Sequence, residues 1–283
     1  MSLVSLALGL IAALAWGVHD FLVRFLGGGL IIPSALLIVL SVGTAVTLPI
    51  AVVSGGWSGL AMSEFSAAMG SGLAYALGSY CLYRAFAEGP VRLVAPIIGA
   101  YPVITVALAW LTGKAVPVSD WLAVAVIVTG VGLVARLSGA GDRTGQRRRA
   151  AVSAAISGIA FAAAFALAQS AASGSADWPA IMVIRAAAIA GVVAFLLTVH
   201  RGPVAPETGQ LPVLGAMGLL DATALSLVTI AGSLPNPEYA AVVTSIFGVV
   251  TVILAHAILH ERMTTGQWFS VFVVFSGVAM LGF

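Results

Sequence analysis

Ten apolar stretches joined by short polar turns fill this chain almost from end to end. The hydrocarbon core of a bilayer is about 30 Å thick, which a helix of roughly 20 mostly apolar residues can cross with every backbone polar group satisfied inside the segment. The sequence therefore predicts an all-α integral membrane protein. The expected spans are 3–25, 30–53, 64–87, 91–111, 119–137, 151–172, 178–199, 211–232, 238–259 and 265–283. With 61% hydrophobic and 8% charged residues, almost nothing remains for a soluble domain. Lys+Arg 12 stand against Asp+Glu 10, and the basic residues lie in turns rather than in a patch, which argues against nucleic acid as a partner. The partner read from the sequence is the lipid bilayer. The lone Cys81 sits inside the third span, so no disulfide framework exists.

Topology follows from the arginines. An outward N-terminus puts Arg24, Arg84, Arg92, Arg136, Arg143, Arg147, Arg148, Arg149, Arg201 and Arg262 at inner ends and turns, leaves Lys114 outside, and leaves Arg185 within the seventh span. The opposite orientation violates the positive-inside rule. Both termini are thus expected to be extracytoplasmic. The segment Ala13-Leu14-Ala15 resembles a signal-peptidase site, but no Lys or Arg precedes Arg24, so the first segment reads as a retained helix.

One linker, 138–150, is rich in Gly and polar residues and divides the spans five and five, into 1–137 and 151–283. An odd number of spans per half makes the halves enter the membrane in opposite directions. At a shift of 147–148 residues Trp121 falls on Trp268, Gly130-Val131 on Gly277-Val278, and Lys114 on Arg262. Two inverted five-helix repeats of this kind are a common plan of secondary transporters, with the substrate near the midplane between them.

The stretch Leu259-His260-Glu261-Arg262-Met263-Thr264-Thr265-Gly266-Gln267-Trp268, followed by Ser276-Gly277-Val278, resembles the signature of EamA-type members of the drug/metabolite transporter superfamily. The first repeat departs from it, with Gly113-Lys114 where the second has Glu261-Arg262. The resemblance implies a ten-helix drug/metabolite transporter fold in a bacterial inner membrane, with a central cavity lined by spans 1, 3, 4, 6, 8 and 9. Trp16 and the Tyr101-Pro102 pair are similar to the amino-acid exporter branch.

Ionisable groups inside a bilayer usually face a cavity or a partner. Asp221 stands mid-span, either as a cavity group that holds a substrate ammonium or a coupling proton, or as a buried partner of Arg185. Asp20 and Arg24 have the i,i+4 spacing of a boundary ion pair, whereas Trp16 and His19 share a face and could line a pore. Tyr75, Ser79 and Tyr83 form one stripe that should face protein or water, with Tyr83 expected as an interface anchor. Pro96 and Pro102 free carbonyls in span 4 beside Tyr101. The mirror in span 9 is Thr244-Ser245 with Phe247-Gly248, lacking proline. Phe161 matches Trp16 near the repeat shift. The candidate substrate set is Trp16, His19, Tyr75, Ser79, Tyr101, Phe161, Asp221 and Ser245.

Two motifs are discounted. Gly56-Trp57-Ser58-Gly59 matches a short intramembrane serine-protease motif but lies in a turn with no His placed as base. His256 and His260 have i,i+4 spacing without a completing ligand set, so no metal or cofactor is expected. The expectation is a monomeric transporter that moves small organic solutes, amino acids or related metabolites, out of the cytoplasm by alternating access. Other efflux or uptake carriers, an intramembrane enzyme, and a channel or receptor are the alternatives.

Overall fold

A computed structural model describes residues 3–111, 113, 115–137, 144–172, 176–199, 206–234 and 237–281. These form twelve α-helices: α1 Leu3–Leu26, α2 Ile32–Ser54, α3 Met62–Glu88, α4 Val91–Gly99, α5 Pro102–Leu111, α6 Val118–Leu137, α7 Thr144–Ala171, α8 Asp177–Thr198, α9 Leu211–Ile230, α10 Pro237–Thr244, α11 Phe247–Ile258 and α12 Thr265–Leu281. Lys114, Arg143, Arg201, Asn236 and linker residues 138–143 lie outside the described residues. Seven helical segments are long and apolar enough to cross a membrane: Val4–Leu26, Ile32–Ser54, Val91–Leu111, Val118–Leu137, Gly145–Ala171, Asp177–Thr198 and Thr208–Ser233. Val242–Ile258 and Thr265–Leu281 are shorter apolar helices. Large apolar side chains such as Val53, Leu111, Leu197 and Phe272 point outward, as lipid-facing residues do.

Helix ends follow local chemistry. Glu64 accepts the Ala61 N–H at 3.0 Å and so caps the start of α3. Proline occupies the first turn of α2 and α9 and the first position of α10, where its missing N–H costs nothing. Helix α10 accordingly starts at Pro237, one residue before the expected start of span 9 at 238. At the linker the structure corrects the sequence: α7 begins at Thr144, so Arg147, Arg148 and Arg149 are helical rather than linker. Gly145 falls in the first turn of α7, and Gln146, the three arginines and Ala150 propagate a helix well.

Two spans are interrupted. Span 4 divides into α4 and α5 at Ala100-Tyr101, immediately before Pro102, whereas Pro96 lies inside α4 without ending it. Span 9 divides into α10 and α11 at Ser245-Ile246 without any proline. There the Thr244 hydroxyl donates to the Ala240 carbonyl at 2.6 Å and the Ser245 hydroxyl to Val242 at 2.7 Å, competing with the backbone ladder. The two breaks differ in cause.

The strongest packing runs between the first six helices and the last six. Helix α3 lies on α7 and α8 as α9 lies on α1 and α2, and α6 crosses α12. At that crossing Gly130 sits against Val274 and Gly277 against Ile127. A β-carbon at Gly72 would overlap the Ile184 carbonyl, and one at Gly218 would come within 2.8 Å of the Val39 carbonyl. Small residues permit this approach where no hydrophobic effect drives helices together.

Candidate substrate site

Helices α1, α3, α7 and α11 converge on a buried cavity of about 20 Å³ lined by Trp16, His19, Asp20, Tyr75, Ser79, Leu82, Tyr83, Phe161, Phe165 and Phe247. Ring packing supplies its walls. Trp16 stacks on Phe165 with centroids 5.0 Å apart, Phe165 on Phe161 at 5.5 Å, and Tyr75 tilts against Phe161 at 5.6 Å. A space of this size holds about one water molecule. The site as it stands is too small for an organic solute.

Polar groups complete the lining. His19 Nδ1 lies 2.9 Å from Asp20 Oδ1, and His19 Nε2 lies 3.1 Å from the Tyr83 hydroxyl. With Asp20 ionised, the carboxylate accepts from Nδ1–H, and Nε2 of the neutral ring then accepts from the Tyr83 hydroxyl. The second Asp20 oxygen, Oδ2, has no hydrogen-bond partner among the described residues although Asp20 is only 2% exposed.

Behind this lining is a second polar cluster. Asp221 accepts from the Tyr75 hydroxyl on one oxygen and from Arg185 Nη2 at 3.1 Å on the other. Arg185 is fully buried, and the absence of a side chain at Gly43 makes room for its guanidinium. Of the two sequence readings for Asp221, the ion pair with Arg185 is the one present.

Five of the eight candidate residues, Trp16, His19, Tyr75, Ser79 and Phe161, therefore share one cavity. The other three do not line it. Asp221 is held behind Tyr75. Tyr101, 1% exposed, packs edge-on to Phe165 at 5.3 Å and borders a neighbouring cavity of about 80 Å³ with Pro102 and Thr105, with Phe165 as the wall common to both cavities. Ser245 is buried at the helix break, satisfied by Val242. The lining drawn from spans 1, 3, 6 and 9 agrees with the resemblance, whereas spans 4 and 8 contribute no residue to it.

Two expectations need correction. Tyr83 is no interface anchor: it is 1% exposed and bonded to His19 in the cavity. Asp20 pairs with His19 rather than Arg24, because Arg24 is taken by Glu261 at 3.0 Å and by the Phe86 carbonyl at 3.2 Å. Phe165 and Phe247 escaped the sequence reading, since nothing in an apolar span marks one Phe as inward. His256, by contrast, sits at an exposed turn, 2.9 Å from the Glu261 carbonyl and edge-on to Trp268.

Glu261 ties one end of the bundle together. Besides Arg24 on α1, it accepts the Val91 N–H at the start of α4 at 3.1 Å. Gln267 caps α12 through the Thr264 N–H at 2.9 Å and donates to the Leu137 carbonyl at 3.2 Å. The signature residues thus act at helix ends and turns.

The described residues form a strongly apolar helical bundle around an internal aromatic and polar site, the build of a multi-pass membrane protein. Residues 3–136 and again 148–283 match the EamA-like transporter family, and the chain belongs to that family. It is accordingly a membrane transporter of small solutes. No curated protein matches the chain. A solved crystal structure with 14% identity superposes with a TM-score of 0.69 over 98% of this chain and 96% of its own, a likeness of fold.

Proposed function

We propose that this protein carries small organic solutes, amino acids or related metabolites, out of a bacterial cytoplasm by alternating access through the Trp16 cavity. The observation that carries the reading is that α1 and α3 from one family-matched segment and α7 and α11 from the other meet around one polar and aromatic cavity. Two bundles that share a site can rock to open it to either side. A mostly apolar lining with few polar groups suits release as well as binding.

Ten crossings in two inverted halves, 1–137 and 151–283, are part of the proposal. In its favour, the family matches twice, and packing is reciprocal: Gly130 meets Val274 as Gly277 meets Ile127. Each pair maps on the other at a shift of 147 residues. In this reading both termini are extracytoplasmic, and the Arg24–Glu261 pair closes the inner end. The conformation is occluded, and a monomer suffices because both halves of the site come from one chain. Uptake into proteoliposomes across an amino-acid panel, with and without a proton gradient, tests the proposal. Saturable movement of at least one solute, lost in Trp16→Ala, is expected. Transport indifferent to Trp16→Ala and to Ser79→Leu refutes the cavity assignment.

A further inference from the structure

We propose that the cavity recognises the cationic head of an organic amine and that Asp20 is the carboxylate that receives it. The inference rests on the transporter reading above and narrows its solute class from amino acids to amines, solutes with a cationic head and no carboxylate.

Asp20 lines the cavity and is almost wholly removed from solvent. One oxygen, Oδ1, is hydrogen-bonded to His19 Nδ1; the other, Oδ2, has no donor among the described residues. A buried carboxylate oxygen without a donor is costly, and an entering ammonium supplies both the missing hydrogen bond and the compensating charge. The surrounding walls add to the preference. Trp16, Tyr75, Tyr83, Phe161, Phe165 and Phe247 border the same space, and the electron-rich faces of such rings attract cations. Among the described residues, no lysine or arginine borders the cavity. Arg185 is fully buried behind Tyr75, where its charge is matched by Asp221. Both nitrogens of His19 are already engaged, by Asp20 and Tyr83. The carboxylate of an amino acid or an acid therefore finds no counter-charge, whereas an ammonium finds one. Asp221, the carboxylate nominated by its mid-span position, is excluded from this role because Arg185 and Tyr75 occupy its two oxygens.

At about 20 Å³ the site is smaller than an amine solute, so its walls, the Trp16–Phe165 stack among them, part to admit one. That stack joins α1 to α7, one helix from each family-matched segment, and its opening is the motion that alternating access requires.

The test is binding of three radiolabelled probes to the full chain in lipid nanodiscs: phenethylamine, phenylalanine and 3-phenylpropionate. They share a ring and differ in charge. Phenethylamine should bind, phenylalanine about tenfold or more weakly, and 3-phenylpropionate not measurably. Asp20→Asn should weaken phenethylamine about tenfold or more while the protein keeps its thermal transition, and Asp20→Glu should recover part of the affinity. The wild-type comparison needs no variant, so a variant that does not fold leaves the test intact. Equal binding of amine and amino acid, retention of amine binding in Asp20→Asn, or absence of amine binding each overturns the inference. If the amine does not bind while another solute is carried and stops in Trp16→Ala, the transporter reading stands and only the Asp20 assignment falls.

Discussion

Removing the charge from Asp221 should unfold this protein at lower temperature before it changes what the protein carries. Arg185 is 0% exposed and Asp221 2%, with 3.1 Å between guanidinium and carboxylate. Two further guanidinium nitrogens, Nε and Nη1, have no partner among the described residues, so Asp221 is the charge on which Arg185 depends. Breaking a buried pair from one side costs about 3–5 kcal/mol, because the remaining charge stays desolvated. For a chain of this size that corresponds to a fall in melting temperature on the order of 10 °C. Asp221→Asn keeps an acceptor for the Tyr75 hydroxyl and isolates the effect of charge. Combining it with Arg185→Met removes the orphaned cation and should recover at least half of the lost stability, since the two residues act as one unit. The assay is thermal unfolding in nanodiscs, read beside solute uptake. An Asp221→Asn protein that melts like wild type refutes the structural role, and one that melts normally but carries nothing would return Asp221 to the transport machinery.

Trp16→Ala should abolish or reroute transport in a protein that still folds, whereas Tyr101→Ala, outside the cavity, should show mainly the stability loss of a truncated buried aromatic, about 3–5 kcal/mol; the reverse pattern in paired uptake and melting measurements contradicts the site. Gly43→Ala should drive a methyl group into the Arg185 guanidinium and destabilise by about 1–3 kcal/mol. That penalty should vanish in the Arg185→Met, Asp221→Asn background, and its persistence there would show that the clash lies elsewhere. In a Cys81→Ala background, Gly145→Cys should react with a membrane-impermeant thiol reagent only from the cytoplasmic side, and labelling in intact cells overturns the topology.

The helices were legible because bilayer thickness imposes a length on them and apolar composition marks it, as for Ile32–Ser54 and Asp177–Thr198. The break at Ala100-Tyr101 was legible through Pro102, but the break at Ser245-Ile246 was not, because it arises from hydroxyls bonding back to Ala240 and Val242. For the site, a polar group in an apolar span announces itself, which is why His19, Tyr75, Ser79 and Asp221 were found. What it touches is a different matter. Spacing along α1 suggested Asp20 with Arg24, yet Glu261, far along the chain, competes successfully for Arg24 and leaves Asp20 to His19. Tyr83 was misplaced for the same reason: its depth along α3 suggested the interface, and only the position of α1 reveals its bond to His19. Phe165 and Phe247 carry no polar mark, so their inward direction depends wholly on helix packing.

The central claim, that solute passes through the Trp16 cavity by alternate opening of its two ends, is tested most directly by fastening the end that Arg24 and Glu261 close. Arg24→Cys and Glu261→Cys, in a Cys81→Ala background, should be bridged by a reducible bifunctional thiol reagent, since the native side chains meet at 3.0 Å. Solute uptake by the bridged protein in proteoliposomes should stop and return on reduction. Uptake that continues at the unbridged rate while the bridge is intact would contradict the account.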